Sequence, residues 1–248
     1  MKKEQGAGTM TKLDLGVGIT WIGHGTVLYR SASGKNVLAD AWVDTNPVAT
    51  PEAKALPKIH VVLLTHAHND HVADLPAIVK KHDPEIVCIH EMAEYYASKG
   101  MQKVHGMGKS GTVTVQGIRV TMVHAVHSSS FDGADSHVPA GEPAGFVIEL
   151  ENKTRVYNAG DTGVFSDMKL IGEIYKPTIA ALPIGDLYTM SPLEASYAAK
   201  MLGVKYVLPI HHSTFPALTG RPETLRDLLK GTGIEVLAVK PGESARGN

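Results

Sequence analysis

The chain has 248 residues, a formal net charge of −1, 43% hydrophobic and 20% charged residues, which is an ordinary globular composition for one large domain or two small ones. It has no charge excess of the kind that nucleic-acid or membrane-surface binding requires, and no stretch nears the roughly 18 apolar residues of a membrane helix. The one cysteine, Cys88, excludes an intrachain disulfide framework and reads as a buried, inert thiol in a protein of the reducing cytoplasm. Residues 1–17 are polar and glycine-rich without the apolar core of a signal peptide, so they read as a flexible tail before a single domain over 18–248.

In chain order, 19–22, 26–29 and 36–39 read as short strands separated by Gly and Ser. A buried strand over 59–64 follows, then a helix over 72–81 with apolar spacing at Val72, Leu75, Ile78 and Val79. A strand over 86–89 and a helix over 91–99 come next. Segments 112–115 and 118–123 alternate about Gly117 as a hairpin. The second half has strands over 144–150 and 155–157, a helix over 166–175 and a strand over 179–184. The helix over 192–202 has Ser191 as its cap, Pro192 in its first turn and Gly203 as its stop. It is followed by a strand over 204–210, a helix over 222–230 and a strand over 234–239. The longest irregular stretch, 128–143, reads as a loop beside a site. Two strand-rich halves interleaved with helices predict an α/β fold with two packed sheets and helices outside.

The chemistry concentrates in Thr65-His66-Ala67-His68-Asn69-Asp70-His71, directly after a predicted strand. Three imidazoles and a carboxylate on one short turn are metal-ligand chemistry, although such a cluster in isolation also occurs at helix caps and in solvated loops. The other candidates share one trait, because Asp40, His127, Asp161 and His211 each follow an apolar strand. Strand ends can converge on one sheet edge. Donors of nitrogen and oxygen alone suit Zn, Mn, Fe, Co or Ni.

The order of these segments resembles the metallo-β-lactamase superfamily over about residues 18–239. The phrases Trp21-Ile22-Gly23-His24, His127-Ser128-Ser129-Ser130, Ala159-Gly160-Asp161-Thr162-Gly163, Thr189-Met190 and Pro209-Ile210-His211 look like its bacterial branch of L-ascorbate-6-phosphate lactonase and uncharacterised metal-dependent hydrolases. The resemblance implies a four-layer αββα sandwich, two mixed β-sheets flanked by helices. It also implies two divalent transition-metal ions, Zn or Mn foremost, with Ni, Fe and Co as alternatives. His66, His68 and His127 would hold one ion, and Asp70, His71 and His211 the other. Asp161 would bridge them, and Asp40 would orient a ligand histidine. Ala41 and His212 depart from the branch, which commonly has proline and an aromatic residue there.

Several subclasses fit poorly. Cysteine-ligand β-lactamases need a cysteine where Asp161 stands, and flavo-diiron proteins typically have Glu in place of His68. The helical module of glyoxalase II does not fit in residues 212–248. What the resemblance leaves is a dinuclear hydrolase that uses a metal-bridging hydroxide on a small ester, lactone or phosphorylated metabolite, with Asp70 and Asp161 as the catalytic carboxylates. Formal charges leave about +1 on such a centre, which favours an anionic small-molecule substrate. His24, Ser128, Ser129, Thr189 and His212 are the candidates for substrate contact. A phosphodiesterase acting on a small nucleotide or phospholipid is the second reading, and a non-catalytic metal-binding protein the third. No nucleic-acid or membrane partner is expected, and the sequence is compatible with a homo-oligomer. His60, His82, His90, His105, His124 and His137 read as surface or satisfied core residues.

Overall fold

The computed structural model describes residues 15–132 and 137–246. Most of the expected tail, residues 1–14, lies outside them, as do 133–136 of the expected loop and 247–248 of the expected domain. The tail's last residues are held: the Leu15 carbonyl accepts from Asn152 Nδ2 (2.9 Å) and Thr154 Oγ1 (3.0 Å), and Val17 is buried.

The first sheet is built from β1 (Gly18–Gly23), β2 (Thr26–Arg30), β3 (Asn36–Ala39), β4 (Val61–Leu63), β5 (Glu85–Ile89) and β6 (Val104–Met107). Between them lie α1 (Pro51–Lys54), α2 (Asn69–Val72), α3 (Leu75–His82) and α4 (His90–Ser98). The second sheet takes β7 (Thr112–Val115), β8 (Ile118–His124), β11 (Ala144–Glu149), β12 (Arg155–Asn158), β13 (Ile179–Pro183), β14 (Tyr206–Ile210) and β15 (Glu235–Val236). A separate hairpin, β9 (Ser130–Asp132) with β10 (His137–Pro139), occupies the stretch read as a loop. The helices of this half are α5 (Met168–Tyr175), α6 (Pro192–Leu202) and α7 (Pro222–Leu228). The last strand, β16 (Ser244–Arg246), returns to the first sheet and pairs with β1.

The sheet orders are β16-β1-β2-β3-β4-β5-β6 and β15-β14-β13-β12-β11-β8-β7. Strands β3 to β6 run parallel to one another, as do β12 to β15. Side chains alternate across each strand, so each sheet has two apolar faces to cover. In β11, Phe146 and Ile148 join the core between the sheets, while Val147 packs with the cluster under α5, α6 and α7. In β13, Ile179 and Ala181 face inward, and Ala180 and Leu182 face the helices. This is the expected four-layer αββα arrangement. Asn158 Nδ2 donates to Tyr29 Oη across the two sheets at 2.9 Å.

Helix α6 ends as its sequence predicts. The Ser191 hydroxyl accepts from Glu194 N, the Glu194 carboxylate accepts from Ser191 N (2.8 Å), and Gly203 adopts φ +66°. The helix expected over 72–81 is divided instead. His71 O accepts from Ala41 N, Ala41 O accepts from Asp74 N, and the Asp74 carboxylate accepts from Val43 N and Thr45 N. These bonds pin 71–74 to the loop after β3, and Pro76 then opens α3.

Candidate metal centre

Parallel strands place their C-terminal ends on one side, and the candidate ligands sit on those ends. Asp40 follows β3, the Thr65 to His71 turn follows β4, Asp161 follows β12 and His211 follows β14. His127 follows β8, which runs antiparallel to β11 and therefore alongside β12. Two bonds join the edges of the sheets: Ala144 N donates to Thr65 O (2.9 Å) and His211 N donates to His24 O (2.9 Å).

The ligand atoms converge. Those of His66, His68 and His127 lie within 4.8 Å of one another, as do those of His24, Asp70, His71 and His211, and those of His66, His71 and Asp161. His66 Nε2 is 3.0 Å from His68 Nδ1. Asp161 Oδ2 is 2.9 Å from His211 Nε2, 3.4 Å from His71 Nε2 and 3.7 Å from His127 Nε2. One carboxylate oxygen thus faces His127 of the first group and His71 and His211 of the second.

Asp40 sits beneath this cluster, wholly buried. Its Oδ2 accepts from His71 Nδ1 (2.7 Å), and its carboxylate accepts from Thr65 N (2.9 Å) and Thr65 Oγ1 (2.9 Å). Because the Thr65 hydroxyl hydrogen points to Asp40, the His66 Nδ1–H 3.0 Å away donates to Thr65 Oγ1. One carboxylate therefore orients two imidazoles, each with Nε2 turned to the cluster. Thr65 opens the motif read from the sequence, but its role in relaying Asp40 to His66 was not assigned there.

The electrostatics show what the cluster lacks. Burial pushes the Asp161 carboxyl up, but the charges of His211 and His71 outweigh it and hold it well below the carboxylate range. Burial lowers His71, while Asp161 and Asp40 outweigh that and hold its imidazole protonated well above the usual value. Burial keeps His66 neutral, with its value well below normal, and the charge of His71 adds to this. Burial raises Asp70, but the hydrogen bond from His24 and the charge of His71 overcome it. His71 Nε2 and Asp161 Oδ1 are buried without a hydrogen-bond partner. The neutral imidazoles of His66 and His68, turned on one another at 3.0 Å beside the orphaned Asp161 Oδ1, leave lone pairs that a cation would satisfy. An ion here would replace the His71 proton. The donor set is nitrogen and oxygen throughout, and it fits divalent transition metals.

Backbone geometry marks the same place. His24, Asp40 and His211 have φ of 54°, 60° and 53°, a left-handed conformation that costs an L residue roughly 1–2 kcal/mol. At Gly25 an added Cβ would run into the His71 ring, and at Gly160 it would come within 2.6 Å of Thr65 Cβ.

The substrate-contact candidates separate. Ser128 Oγ lies 3.5 Å from His68 Nε2, at the cluster. The Ser129 hydroxyl accepts from Ala67 N (3.3 Å) and supports the turn. Thr189 has a buried, unpartnered hydroxyl in a turn whose Met190 N donates to Thr162 O. His24 is buried against Asp70 instead of lining an opening. His212 stacks on Trp21 at 4.6 Å and shares a side pocket with Arg221 and Lys240, apart from the cluster. Asp44, the near neighbour of Asp40, is exposed. Cys88 is fully buried and its thiol is pushed up to about 12 by burial, as an inert thiol should be. His105 and His137 pair with Glu85 and Asp132 (2.7 and 2.8 Å).

Known proteins place this fold and cluster. A family model described as a beta-lactamase superfamily domain matches residues 35–212. A UPF0173 metal-dependent hydrolase of Koribacter versatilis is 45% identical over 229 residues, covering 92% of this chain and 97% of the relative. Another from Methanosarcina barkeri is 42% identical over 231 residues, covering 93% and 98%. Among solved structures, Igni18, a metallo hydrolase from Ignicoccus hospitalis, superposes with a TM-score of 0.82 at 33% identity, covering 92% of this chain and 97% of that one. An isothiocyanate hydrolase from Delia radicum gut bacteria shares the fold at 22% identity and TM-score 0.70, covering 92% and 98%. The chain belongs to the metallo-β-lactamase superfamily and, within it, to the UPF0173 family of metal-dependent hydrolases. It is a metal-dependent hydrolase with a His/Asp cluster that could hold metal.

Proposed function

We propose that this enzyme hydrolyses a small, uncharged ester or lactone with an apolar substituent, at a centre of two divalent ions. His66, His68 and His127 would hold one ion in this reading and Asp70, His71 and His211 the other, with the Asp161 carboxylate shared between the two sets. When bound, such ions polarise an acyl oxygen and lower the pKa of water from 15.7 towards ~7, so that a nucleophile is available at neutral pH. Zn and Mn are the leading candidates for this ligand set. Of the two carboxylates, Asp161 is 3% exposed and Asp70 is 33% exposed. Asp70 is therefore the group that can exchange a proton between solvent and the leaving oxygen. Asp161 stays ionised and fixes the geometry. The Ser128 hydroxyl stands beside His68, where it can donate to the substrate.

The character of the loops around the cluster carries the choice of substrate. Segments 125–143, 184–199 and 211–220 contain no Lys or Arg. Nearby cations are committed: Lys109 to Glu142 (2.7 Å), and Arg221 to the carbonyls of Leu218 and Gly220 (2.8 Å each). These loops instead expose Val126, Leu187, Tyr188 and Phe215. Phe215 and Trp42 pack edge-on to the His24 ring at 5.7 and 5.1 Å. An apolar acyl group gains from such walls, whereas a phosphoryl group would find no free cationic side chain on these loops among the described residues, and this sets an uncharged substrate ahead of the anionic one that the formal charge of the centre favours.

The test is a panel of uncharged alkyl and aryl esters and lactones, a phosphorylated lactone and bis-p-nitrophenyl phosphate, assayed with Zn and with Mn. The expected result is hydrolysis of the uncharged members, with kcat/KM rising roughly fourfold per added methylene until the walls are filled. Preference for the phosphorylated lactone would overturn the substrate choice, and turnover of the phosphodiester alone would establish the phosphodiesterase reading.

A further inference from the structure

The buried histidine at the turn between β1 and β2 has no role in the ligand scheme above. His24 is fully buried. Its Nε2 lies 2.9 Å from Asp70 Oδ2, and its Nδ1 lies 2.9 Å from Thr214 Oγ1. Its carbonyl accepts from His211 N (2.9 Å) and from Trp21 Nε1 (2.8 Å). Its ring lies against that of His211 with centroids 3.9 Å apart. One residue therefore grips Asp70 through its side chain and His211 through its main chain.

We propose that His24 is a positioning residue for the second ion, setting the orientation of Asp70 and His211 without itself binding metal or substrate. This rests on the two-ion reading of the centre. A neutral imidazole has one N–H and one lone pair. Here the N–H goes to Asp70, which can only accept. The Nδ1 lone pair receives the Thr214 hydroxyl at 2.9 Å in preference to that hydroxyl's other acceptor, His212 O, at 3.4 Å, so none is left for an ion. The first of these bonds engages Asp70 Oδ2 and fixes the rotation of the carboxylate. The left-handed backbone at His24 (φ 54°) holds the ring and carbonyl in these two directions at once. The competing role is a fourth ligand, since the ligand atom of His24 lies within 4.8 Å of those of Asp70, His71 and His211.

The experiment titrates metal-free full-length protein with Zn by calorimetry and counts bound metal by mass spectrometry. It compares wild type with His24→Gln, His24→Ala and Thr214→Val. Cobalt absorption spectra of the same proteins report coordination. Thermal unfolding of the metal-free forms controls for folding. A positioning role predicts that His24→Ala weakens the second equivalent by about 10–100-fold and leaves the first unchanged. His24→Gln, whose amide reaches the Nε2 position, should restore most of that affinity with an unchanged cobalt spectrum. Thr214→Val, which frees the ring to turn, should show a smaller loss in the same equivalent and keeps the test valid if His24→Ala does not fold. Equal loss in the Gln and Ala variants with an altered cobalt spectrum would make His24 a ligand and overturn the proposal. Wild-type affinity in His24→Ala or in a folded Thr214→Val would overturn it as well. Fewer than two equivalents in wild type would remove the two-ion reading itself, a failure visible before any variant is compared.

Discussion

Asp40 shows how much a single side chain decides at this centre. Three donors, Thr65 N, Thr65 Oγ1 and His71 Nδ1, meet its buried carboxylate. Removing one partner of a buried charged pair costs about 3–5 kcal/mol, because the other is left without compensation. Asp40→Ala is expected to lower the unfolding free energy of metal-free protein by about that amount in urea titration. Asp40→Asn, which preserves shape, should cost less stability yet still weaken Zn binding, since an amide is a poorer acceptor for the His71 N–H. Position alone made Asp40 legible, directly after an apolar strand. His24 was legible only as a member of a phrase. Its partners Asp70, Thr214 and His211 are 46, 190 and 187 residues away in sequence, and no local signal connects them.

At the level of elements, local rules predicted what tertiary bonds did not contest. Helix α6 kept its cap, its proline and its terminal glycine, because these satisfy its own orphaned ends. The 72–81 helix broke, because Asp74 spends its carboxylate on Val43 N and Thr45 N. Edge strands were invisible: β6 (Val-His-Gly-Met) and β16 (Ser-Ala-Arg) lack apolar alternation and exist because a neighbour's backbone offers pairing. The hairpin of β9 and β10 lay hidden in a Gly/Pro-rich stretch for the same reason. The turn from β1 to β2 carries the sharpest test at this scale. Gly25→Ala would press a methyl group into the His71 ring. The expected outcome is a loss of about 1–3 kcal/mol in urea unfolding together with weaker Zn binding, as the ring is displaced from Asp40.

For the whole molecule, the pH dependence of the metal-free state follows from the buried histidines. Burial lowers His24 and His212 to about 4 and lowers His66, His68 and His127 as well. Below pH 6.5 the unfolded chain takes up protons that the folded one refuses, so stability falls as pH drops from 6.5 towards 4. His24 alone contributes on the order of 3 kcal/mol across that window. His71 acts in the opposite sense, because its raised value makes its contribution full below 6.5 and lost as pH rises through its folded pKa, and Asp40, raised by burial, likewise gains as pH falls through its folded value. Asp161 and Asp70 contribute above the carboxylate range and lose that contribution only in stronger acid. With five lowered histidines against His71 and Asp40, the expected melting temperature in chelator declines from pH 6.5 to pH 4; a flat profile would mean that the folded cluster accepts those protons. The sequence by itself determined an α/β fold of two packed sheets and the strand ends that bear the candidate ligands, because periodicity and strand-end position are written locally; the four-layer class and the ligand roles came from the family resemblance. Only the tertiary structure decided that one oxygen of Asp161 faces histidines of both sets, that Asp40 orients two imidazoles, and that His24 joins Asp70 to His211. Those relations depend on two sheets meeting edge to edge, and the distances across that junction belong to packing, which no single segment encodes.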